Sequence, residues 1–297
     1  MVAIVNSPTL SRLVWPAPAK INLMLHVVGK RSDGYHELQT VFQFLDYGDE
    51  LTFDITQDGE VRRNYDFGFS VESDLCLRAA LLLKQFAADD CGVIIDLLKR
   101  LPMGGGLGGG SSDAATVLIA LNQLWNVGLT RDKLAELGLQ LGADVPVFIY
   151  GRAAWAEGVG EQLSAINLRQ PWYLVLNPNI SVSTAQIFSN KHLTATPHMK
   201  KIRALEKDAE IVSIDALFSQ GVNQLEPIVR AEYPEVNYLL EWLSQYGSPR
   251  MSGSGGSVFL PLDSQQQGLD ILANKPRNSL GFVAKGMNFH PLLIEEG

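Results

Sequence analysis

One segment constrains this chain more than any other: PMGGGLGGGSSDAA, which runs from Pro102 to Ala115. Every residue from 104 to 110 except Leu107 is a glycine, so the backbone N–H groups can approach an anion without hindrance from side chains. The apolar, β-branched run at residues 93–98 predicts a strand before this loop. Apolar residues at helical spacing predict a helix after it; they are Ala114, Val117, Leu118, Leu121, Leu124 and Trp125.

The order strand, glycine loop and helix predicts a phosphate site. Ser111 or Ser112 is the expected N-cap of the helix. The free N–H groups of the first helical turn and the positive end of the helix dipole both favour a polyphosphate. A flexible turn is the alternative, but glycine-rich turns are usually shorter and are mixed with Asn, Asp or Pro. The long helix that follows therefore favours phosphate binding.

Two familiar phosphate-binding motifs fit the loop poorly. Gly104, Gly106 and Gly109 form a literal GxGxxG, but a dinucleotide-binding unit also needs a second strand after the helix. The pattern here turns at residues 126–128 and predicts another helix from Thr130 instead. A Walker loop requires a Lys directly after its last glycine, and Gly110 is followed by Ser111.

The whole loop resembles the glycine–serine motif of the GHMP kinase superfamily. Other segments resemble that superfamily's motifs in order and spacing; they are PAKINL at residues 18–23, DGYHEL at 33–38, LGADVPVF at 141–148 and SGSGGSVF at 252–259. The resemblance covers the chain from about Val14 to Leu292. With its doubled glycines and SSDAA, the loop looks like that of the members that phosphorylate a cytidine-diphosphate-linked polyol in isoprenoid precursor biosynthesis.

The resemblance implies an α+β fold of two domains. Residues 1–163 would form the N-terminal ATP-binding domain, which is ribosomal protein S5 domain 2-like, and residues 164–297 a ferredoxin-like C-terminal domain. The pattern agrees, since strands alternate with helices in the second half. The predicted strands there are 172–176, 257–260 and 280–284, and the predicted helices are 184–188, 236–246 and 265–273.

Further elements are predicted in the first half. Residues 40–44 and 50–55 are expected to form two strands, and residues 74–87 a helix. Its expected core residues are Leu77, Ala80, Leu81 and Leu83. The helix from Thr130 is expected to bury Leu134, Leu137 and Leu141. Residues 252–256, with the sequence SGSGG, are expected to form a second glycine loop, which faces the first across the cleft.

Composition limits the partners. The chain has 297 residues, a net charge of −8 and two cysteines, Cys76 and Cys91. We expect no nucleic acid partner, since there is no basic run, and no membrane partner, since no apolar run approaches about 20 residues. The N-terminus lacks a signal-peptide pattern, so we expect a cytoplasmic protein with free thiols and a loosely held extension at residues 1–13. Monomer and weak homodimer both stay open.

The resemblance implies which residues bind ATP and what metal takes part. ATP is the phosphoryl donor, and Mg²⁺ is expected without a protein ligand motif, so that phosphates and water would hold the ion. The residues of the loop assigned to the ATP site are Pro102, Met103, Gly104, Gly105, Gly106, Leu107, Gly108, Gly109, Gly110, Ser111 and Ser112. Lys99, just before the loop, could be a cap or contact the nucleotide, and it is assigned to ATP from its position.

Lys20 and Asp144 are the expected catalytic pair. From Lys20 the pattern alternates, so that Lys20, Asn22, Met24 and His26 share one face of a strand. A strand lysine is more often merely solvated, and an aspartate before Pro146 is more often a cap or a turn residue. The apolar neighbours of Asp144 predict a poorly solvated carboxylate, which can accept a proton beside an ammonium. The resemblance makes Asp144 the base and places Lys20 beside it.

The polyol substrate carries a cytosine, and the resemblance places its binding residues. They are Asn22, Tyr35, His36, Phe42, Thr184 and Phe188. An aromatic ring can stack on a flat heterocycle while an imidazole bonds its edge. Phe188 aligns with the aromatic residue that sandwiches the base opposite Tyr35.

Three other functions are weighed against this one. Another GHMP kinase is the nearest. A nicotinamide-dependent oxidoreductase is suggested by GxGxxG, but the second strand is missing. A non-catalytic nucleotide-binding module is disfavoured by the pair of Lys20 and Asp144.

Overall fold

The computed structural model describes residues 13–68, 70–196 and 211–293. Apart from Leu13, the predicted N-terminal extension lies outside them. Over the described ranges the chain forms ten strands and nine α-helices, and none of these helices is long and apolar enough to span a membrane. The strands are β1 (Trp15–Lys30), β2 (His36–Thr56), β3 (Val61–Arg63), β4 (Gly92–Leu98), β5 (Ala154–Glu157), β6 (Gln162–Ala165), β7 (Trp172–Asn177), β8 (Arg250–Met251), β9 (Val258–Leu262) and β10 (Leu280–Met287). The helices are α1 (Leu75–Lys84), α2 (Gly109–Leu124), α3 (Arg131–Leu141), α4 (Val145–Tyr150), α5 (Thr184–Phe188), α6 (Ile214–Gln220), α7 (Glu226–Glu232), α8 (Pro234–Ser244) and α9 (Gln265–Ala273).

The first half is built on a long hairpin of β1 and β2. The two strands pair antiparallel from Trp15 opposite Leu51 to Lys30 opposite His36. The prediction of two strands at 40–44 and 50–55 was therefore wrong, because β2 continues through both. Helices α1 to α4 cover this part of the sheet and share a core with it. The helix after the glycine loop is followed by α3, not by a strand, which removes the dinucleotide-binding alternative.

The second half has the ferredoxin-like arrangement. Its four strands lie in the order β10-β7-β9-β8 and pair antiparallel, with helices in the connections after β7 and after β9. Helices α7, α8 and α9 pack on this sheet around a core that includes Leu174, Val229 and Leu240. Helices α5 and α9 have the predicted bounds, whereas α6 and α7 were not predicted.

The last strand joins the two halves. Strand β10 pairs with β7 along six residues and with β2 at Gly286 and Met287. A third core lies between the halves and contains Ile21, Leu45, Tyr173 and Phe259. The sheet and this core are therefore continuous between the halves, while the division at residue 163 stays a prediction.

Two helices differ from the sequence predictions. Helix α2 begins at Gly109, and its N-cap is Gly108 with a left-handed φ of 71°. The prediction of Ser111 or Ser112 as N-cap was wrong, because glycine alone adopts this φ freely and lets the helix begin earlier. In α1, Asp74 is the N-cap, and Leu77, Ala80 and Leu83 are buried. Leu81 was wrongly expected in the core, since it is 51% exposed.

The strand that carries Lys20 does not alternate as predicted. The β1–β2 register shifts between Asn22 and Met24, and an extra residue at such a bulge moves the following side chains to the other face. Met24 accordingly packs in the same core as Ile21 and Leu23. Lys20 and Asn22 still share a face, but both are buried rather than solvated.

Candidate active site

A cleft of about 1110 Å³ collects nearly all the predicted site residues. Its walls include Lys20, Asp144, the first glycine loop (residues 104–110), the β1–β2 turn with Tyr35, and helix α5 with Phe188. Its volume is slightly above the usual range for sites that bind one small molecule, which suits two substrates. Ser112 is the exception among the predicted residues: it is buried in α2 and is not part of the wall.

The ammonium group of Lys20 is buried among three acceptors. Its Nζ atom donates to Asn22 Oδ1 at 2.7 Å and to the carbonyl oxygen of Gly106 at 3.4 Å, and it lies 3.1 Å from Asp144 Oδ2. The ammonium also lies 5.2 Å from the centre of the Phe42 ring. A lysine has three N–H donors, so these acceptors hold the ammonium at one place.

Asp144 reaches Lys20 from the start of α4. It occupies the N-cap position, but its carboxylate makes no capping hydrogen bond to the helix. Its side chain is 36% exposed and points into the cleft, so it is better solvated than its apolar neighbours suggested. Its carboxylate contacts Lys20, and a carboxylate in such a position can accept a proton from a bound hydroxyl.

The second glycine loop (residues 252–256) packs directly on the first. The N–H of Ser257 donates to Gly105 O at 2.9 Å, and Ser252 Oγ donates to Gly106 O at 2.9 Å. A Cβ added to Gly106 would lie 2.3 Å from the carbonyl oxygen of Ser252. The prediction that the loops face each other across the cleft was therefore wrong, because they are in contact and form one wall.

The first glycine loop presents backbone rather than side chains. Its single side chain, Leu107, is buried in the core, and its carbonyl accepts from the N–H of Lys20 at 2.9 Å. Ser112 N donates to Gly108 O, which is the first hydrogen bond at the start of α2. The N–H groups of the residues before it are the unpaired donors of a helix start. Together with the dipole of α2, they make this end of the cleft suitable for a triphosphate.

Lys99, predicted to bind ATP, is held by two buried carboxylates. Its Nζ lies 2.6 Å from Asp49 Oδ2 and 2.6 Å from Asp113 Oδ2. Asp49 Oδ1 also accepts the N–H groups of Arg100 and Leu101. Asp113 Oδ1 has no hydrogen-bond partner among the described residues. Lys99 therefore lines the cleft while its positive charge is balanced by two buried carboxylates.

Asp113 is the member of this cluster that holds a proton near neutral pH. Burial and the nearby Asp49 carboxylate together raise the pKa of Asp113 to about 7, against the opposing effect of Lys99. Cys76, at the start of α1, is a neighbouring titratable group, and the Asp113 carboxylate helps to raise the pKa of its thiol. Two carboxylates share one ammonium in a poorly solvated place, so the one with fewer donors becomes neutral first.

This pKa predicts a pH dependence of stability. Between about pH 4 and 7 folded Asp113 keeps a proton that the unfolded chain has lost, so its contribution lowers stability as pH rises. From pH 5 to 8 the wild-type free energy of unfolding should fall by roughly 1–4 kcal/mol more than that of Asp113→Asn, since a pKa unit is worth about 1.4 kcal/mol. Thermal denaturation at both pH values measures this. Asp90→Asn, at an exposed turn, should keep the wild-type slope; an equal slope in Asp113→Asn would contradict the assignment.

The β1–β2 turn, the start of β2 and helix α5 carry most of the predicted base-binding residues. Tyr35 is 62% exposed on the β1–β2 turn, while Phe42 is buried beneath Lys20. The rings of His36 and Phe188 lie with their centroids 5.3 Å apart, which is less than the roughly 7 Å that a base stacked between them needs. Burial and Lys30 lower the pKa of His36. Thr184 Oγ1 lies 2.7 Å from Ser254 Oγ, which ties α5 to the second glycine loop.

Several site residues were missed by the sequence analysis. Thr40 accepts from Asn22 Nδ2 at 2.8 Å and Ser252 accepts from the Asn22 N–H at 3.1 Å. Asp49 and Asp113 hold Lys99. Asp113 and Ser252 lie inside the quoted motifs, so their positions in the sequence could have identified them. Thr40 and Asp49 lie outside every quoted motif, and nothing in the sequence marks them. Over the described residues no group of three His, Cys, Asp or Glu is placed to hold a metal ion.

Comparison with known proteins gives the same class as the fold and the site. The sequence model of the family GHMP kinases N terminal domain matches residues 74–152. The sequence model of the family GHMP kinases C terminal matches residues 201–275. A crystal structure of Methanococcus jannaschii mevalonate kinase has the same fold, with a TM-score of 0.64, 16% identity, and coverage of 94% of this chain and 99% of that one. The chain belongs to the GHMP kinase family.

Nearer relatives narrow the class. A protein of Nitrosococcus oceani named 4-diphosphocytidyl-2-C-methyl-D-erythritol kinase is 52% identical over 283 residues, which cover 95% of this chain and 97% of the relative. A crystal structure of 4-(cytidine 5'-diphospho)-2C-methyl-D-erythritol kinase has a TM-score of 0.74 and 31% identity, with coverage of 92% and 99%. Within the GHMP kinases, this chain groups with the 4-diphosphocytidyl-2-C-methyl-D-erythritol kinases.

Proposed function

We propose that this protein transfers the γ-phosphoryl group of ATP to the 2-hydroxyl of 4-diphosphocytidyl-2-C-methyl-D-erythritol, a step in the non-mevalonate route to isoprenoid precursors. One observation carries the proposal: Lys20 Nζ lies 3.1 Å from Asp144 Oδ2 and 3.4 Å from a carbonyl oxygen of the first glycine loop. A base and a cation therefore meet where the phosphate end of the cleft joins the acceptor end. The relatives' names supply the acceptor.

Asp144 and Lys20 divide the chemistry in this proposal. Asp144 accepts the proton of the attacking hydroxyl. Lys20 orients Asp144 and offsets the negative charge that develops on the alkoxide and on the phosphoryl oxygens. Because the ammonium is held before substrate arrives, little reorganisation is needed in the transition state.

ATP enters as its magnesium complex. The backbone N–H groups at the start of α2 and the first glycine loop hold the triphosphate, with Ser111 at the wall of the cleft. A Mg²⁺ ion bound with ATP would be held mainly by the phosphates and by water. Cys76 and Cys91 are both free thiols, which supports the proposed cytoplasmic location.

The test of this function is an assay of ADP release. The protein is incubated with MgATP and, in separate reactions, with 4-diphosphocytidyl-2-C-methyl-D-erythritol, mevalonate, homoserine and galactose. We expect ADP with the first, and a new phosphate ester at its 2-hydroxyl by phosphorus NMR. ADP with another alcohol alone would indicate a different GHMP kinase. ADP with none of them would refute the proposal.

We infer that the cytosine stacks between Tyr35 and Phe188, with His36 at its edge. We expect Tyr35→Ala to weaken binding of the cytidine substrate by about 1–3 kcal/mol, as loss of base stacking does elsewhere. The KM for ATP should stay the same. His36→Ala should relax the preference for the cytidine over the uridine analogue, because an edge hydrogen bond is lost. Competition kinetics with both analogues measures this preference.

The control for Tyr35 is Tyr238→Ala. Tyr238 is similarly exposed, at 55%, but it lies on α8 and is not part of the cleft wall. The variant Tyr238→Ala should therefore leave the KM values for ATP and for the cytidine substrate unchanged. Unchanged base discrimination in His36→Ala, together with an unchanged KM for the cytidine substrate in Tyr35→Ala, would show that the pyrimidine binds elsewhere.

A further inference from the structure

Ser252 links two parts of the site that are far apart in sequence. Its side chain is buried at the start of the second glycine loop. Ser252 Oγ accepts the backbone N–H of Asn22 at 3.1 Å and donates to the carbonyl oxygen of Gly106 at 2.9 Å. One hydroxyl therefore bridges strand β1 and the first glycine loop.

The two partners of Ser252 are also partners of Lys20. The Lys20 ammonium donates to Asn22 Oδ1 and lies 3.4 Å from Gly106 O. Its remaining neighbour is Asp144. The Ser252 hydroxyl thus sets the spacing between two of the three acceptors that hold the ammonium.

We propose that Ser252 is a positioning residue for phosphoryl transfer, which acts by holding strand β1 and the first glycine loop at the spacing that aims Lys20 at Asp144. The inference rests on the proposed function. It assigns Ser252 no contact with substrate. Without the hydroxyl, Gly106 O keeps Lys20 as its side-chain donor, so the ammonium is drawn toward the loop and away from the carboxylate.

The backbone that carries this hydroxyl is held in place by its own hydrogen bonds. Asn223 Nδ2 donates to Met251 O at 2.9 Å and to Gly253 O at 2.8 Å, one residue on each side of Ser252. Ser252 N donates to Ser257 O at 3.0 Å. The backbone at residue 252 is therefore held without its side chain, and Ser252→Ala is expected to fold with the loop in place.

ATP binding does not depend on this one bond. The first glycine loop keeps two backbone hydrogen bonds to the rest of the site, from Ser257 N to Gly105 O and from Lys20 N to Leu107 O. Loss of the Ser252 hydroxyl should therefore lower kcat more than it changes either KM. A merely structural serine would change Tm without this split.

Ser257 provides a matched control. It is as buried as Ser252, in the same segment, but its Oγ accepts from Asn177 Nδ2 at 3.1 Å, whereas the bonds to Asn22 and Gly106 are made by Ser252. Ser257→Ala removes a buried hydroxyl from the same segment and leaves the bridge intact. Ser252→Thr keeps the hydroxyl that the bridge needs.

The experiment compares kcat, both KM values and Tm in the full-length variants. We expect Ser252→Ala to lose about 10–100-fold in kcat, the scale of a misplaced catalytic group, with both KM values within about 3-fold. Ser252→Thr should recover most of kcat, and Ser257→Ala should keep it while losing Tm. In a crystal structure of Ser252→Ala, the distance from Lys20 Nζ to Asp144 should exceed that of the wild type.

Each alternative outcome has a defined meaning. An unchanged kcat in Ser252→Ala, an equal loss in Ser257→Ala, or no recovery in Ser252→Thr would overturn the inference. So would an unmoved Lys20 ammonium in the crystal structure. The wild-type ADP assay reports on the proposed function separately, because the variant ratios use whichever alcohol the wild type phosphorylates, and the crystal structure requires no turnover.

Discussion

Asp144→Asn should lower kcat by about 10²–10⁴-fold while substrate affinity is largely retained. The change keeps the shape of the side chain and removes its ability to accept a proton, and this is the scale expected of a positioned base. The variant should fold, because Asp144 makes no capping bond and is 36% exposed. Steady-state ADP release with both substrates varied gives kcat and both KM values.

Lys20→Met should be similarly harmful. Methionine fills a similar volume beside Phe42 but carries no charge, so the developing phosphoryl charge is not offset. Lys20 and Asp144 lie 3.1 Å apart and act as one unit, so the double variant should be little worse than either single variant. The same assay on all three measures this non-additivity.

The outcomes separate two roles for Asp144. The transition state of phosphoryl transfer is loose, and positioning can matter more than proton removal. If Asp144→Asn keeps substantial activity while Lys20→Met does not, Asp144 is an orienting partner rather than the base. Glu136→Gln, which breaks an exposed pair with Lys133, should change nothing. Near wild-type rates in both single variants would show that the assigned site is wrong.

Gly106→Val should raise the KM for ATP by at least about 10-fold, which corresponds to about 1.4 kcal/mol. Gly106 has a φ of 73°, and an added Cβ would lie 2.3 Å from Ser252 O and 2.9 Å from Gly255 O. Both are backbone atoms and cannot swing aside, so the two glycine loops must separate. The KM for the cytidine substrate should change much less, because none of the residues proposed to bind its base belongs to the first glycine loop. Equal loss of both would mean that the loop supports the fold rather than the nucleotide.

Other glycines provide the controls for this variant. Gly128 also has a left-handed φ, of 76°, but an added Cβ there meets nothing within 4 Å. Gly128→Ala should therefore lower Tm through backbone strain alone and leave the KM for ATP unchanged. Gly108 is a poorer test, since its Cβ would lie 3.0 Å from Lys20 Cγ and Cε. Substitution there would disturb the catalytic lysine together with the nucleotide.

Local patterns identified most of the elements that carry the site. The helix at residues 109–124 follows from the spacing of its apolar residues, and the strand before the loop follows from its β-branched residues. Both signals depend only on residues that are close together in the sequence. The spacing of Lys20 and Asn22 correctly placed them on one face, because a strand repeats every two residues. The pattern did not reveal the bulge after Asn22, since a bulge is set by pairing with β2.

The sequence by itself determined the glycine loop, the order of strands and helices around it, and, through its motifs, the family. Tertiary structure alone decided that the two glycine loops touch, that Asp49 and Asp113 share Lys99, and that Phe42 lies beneath Lys20. The physical reason is that these contacts join residues tens to hundreds of positions apart. Such contacts depend on how the sheet and the helices pack, and no local periodicity records that.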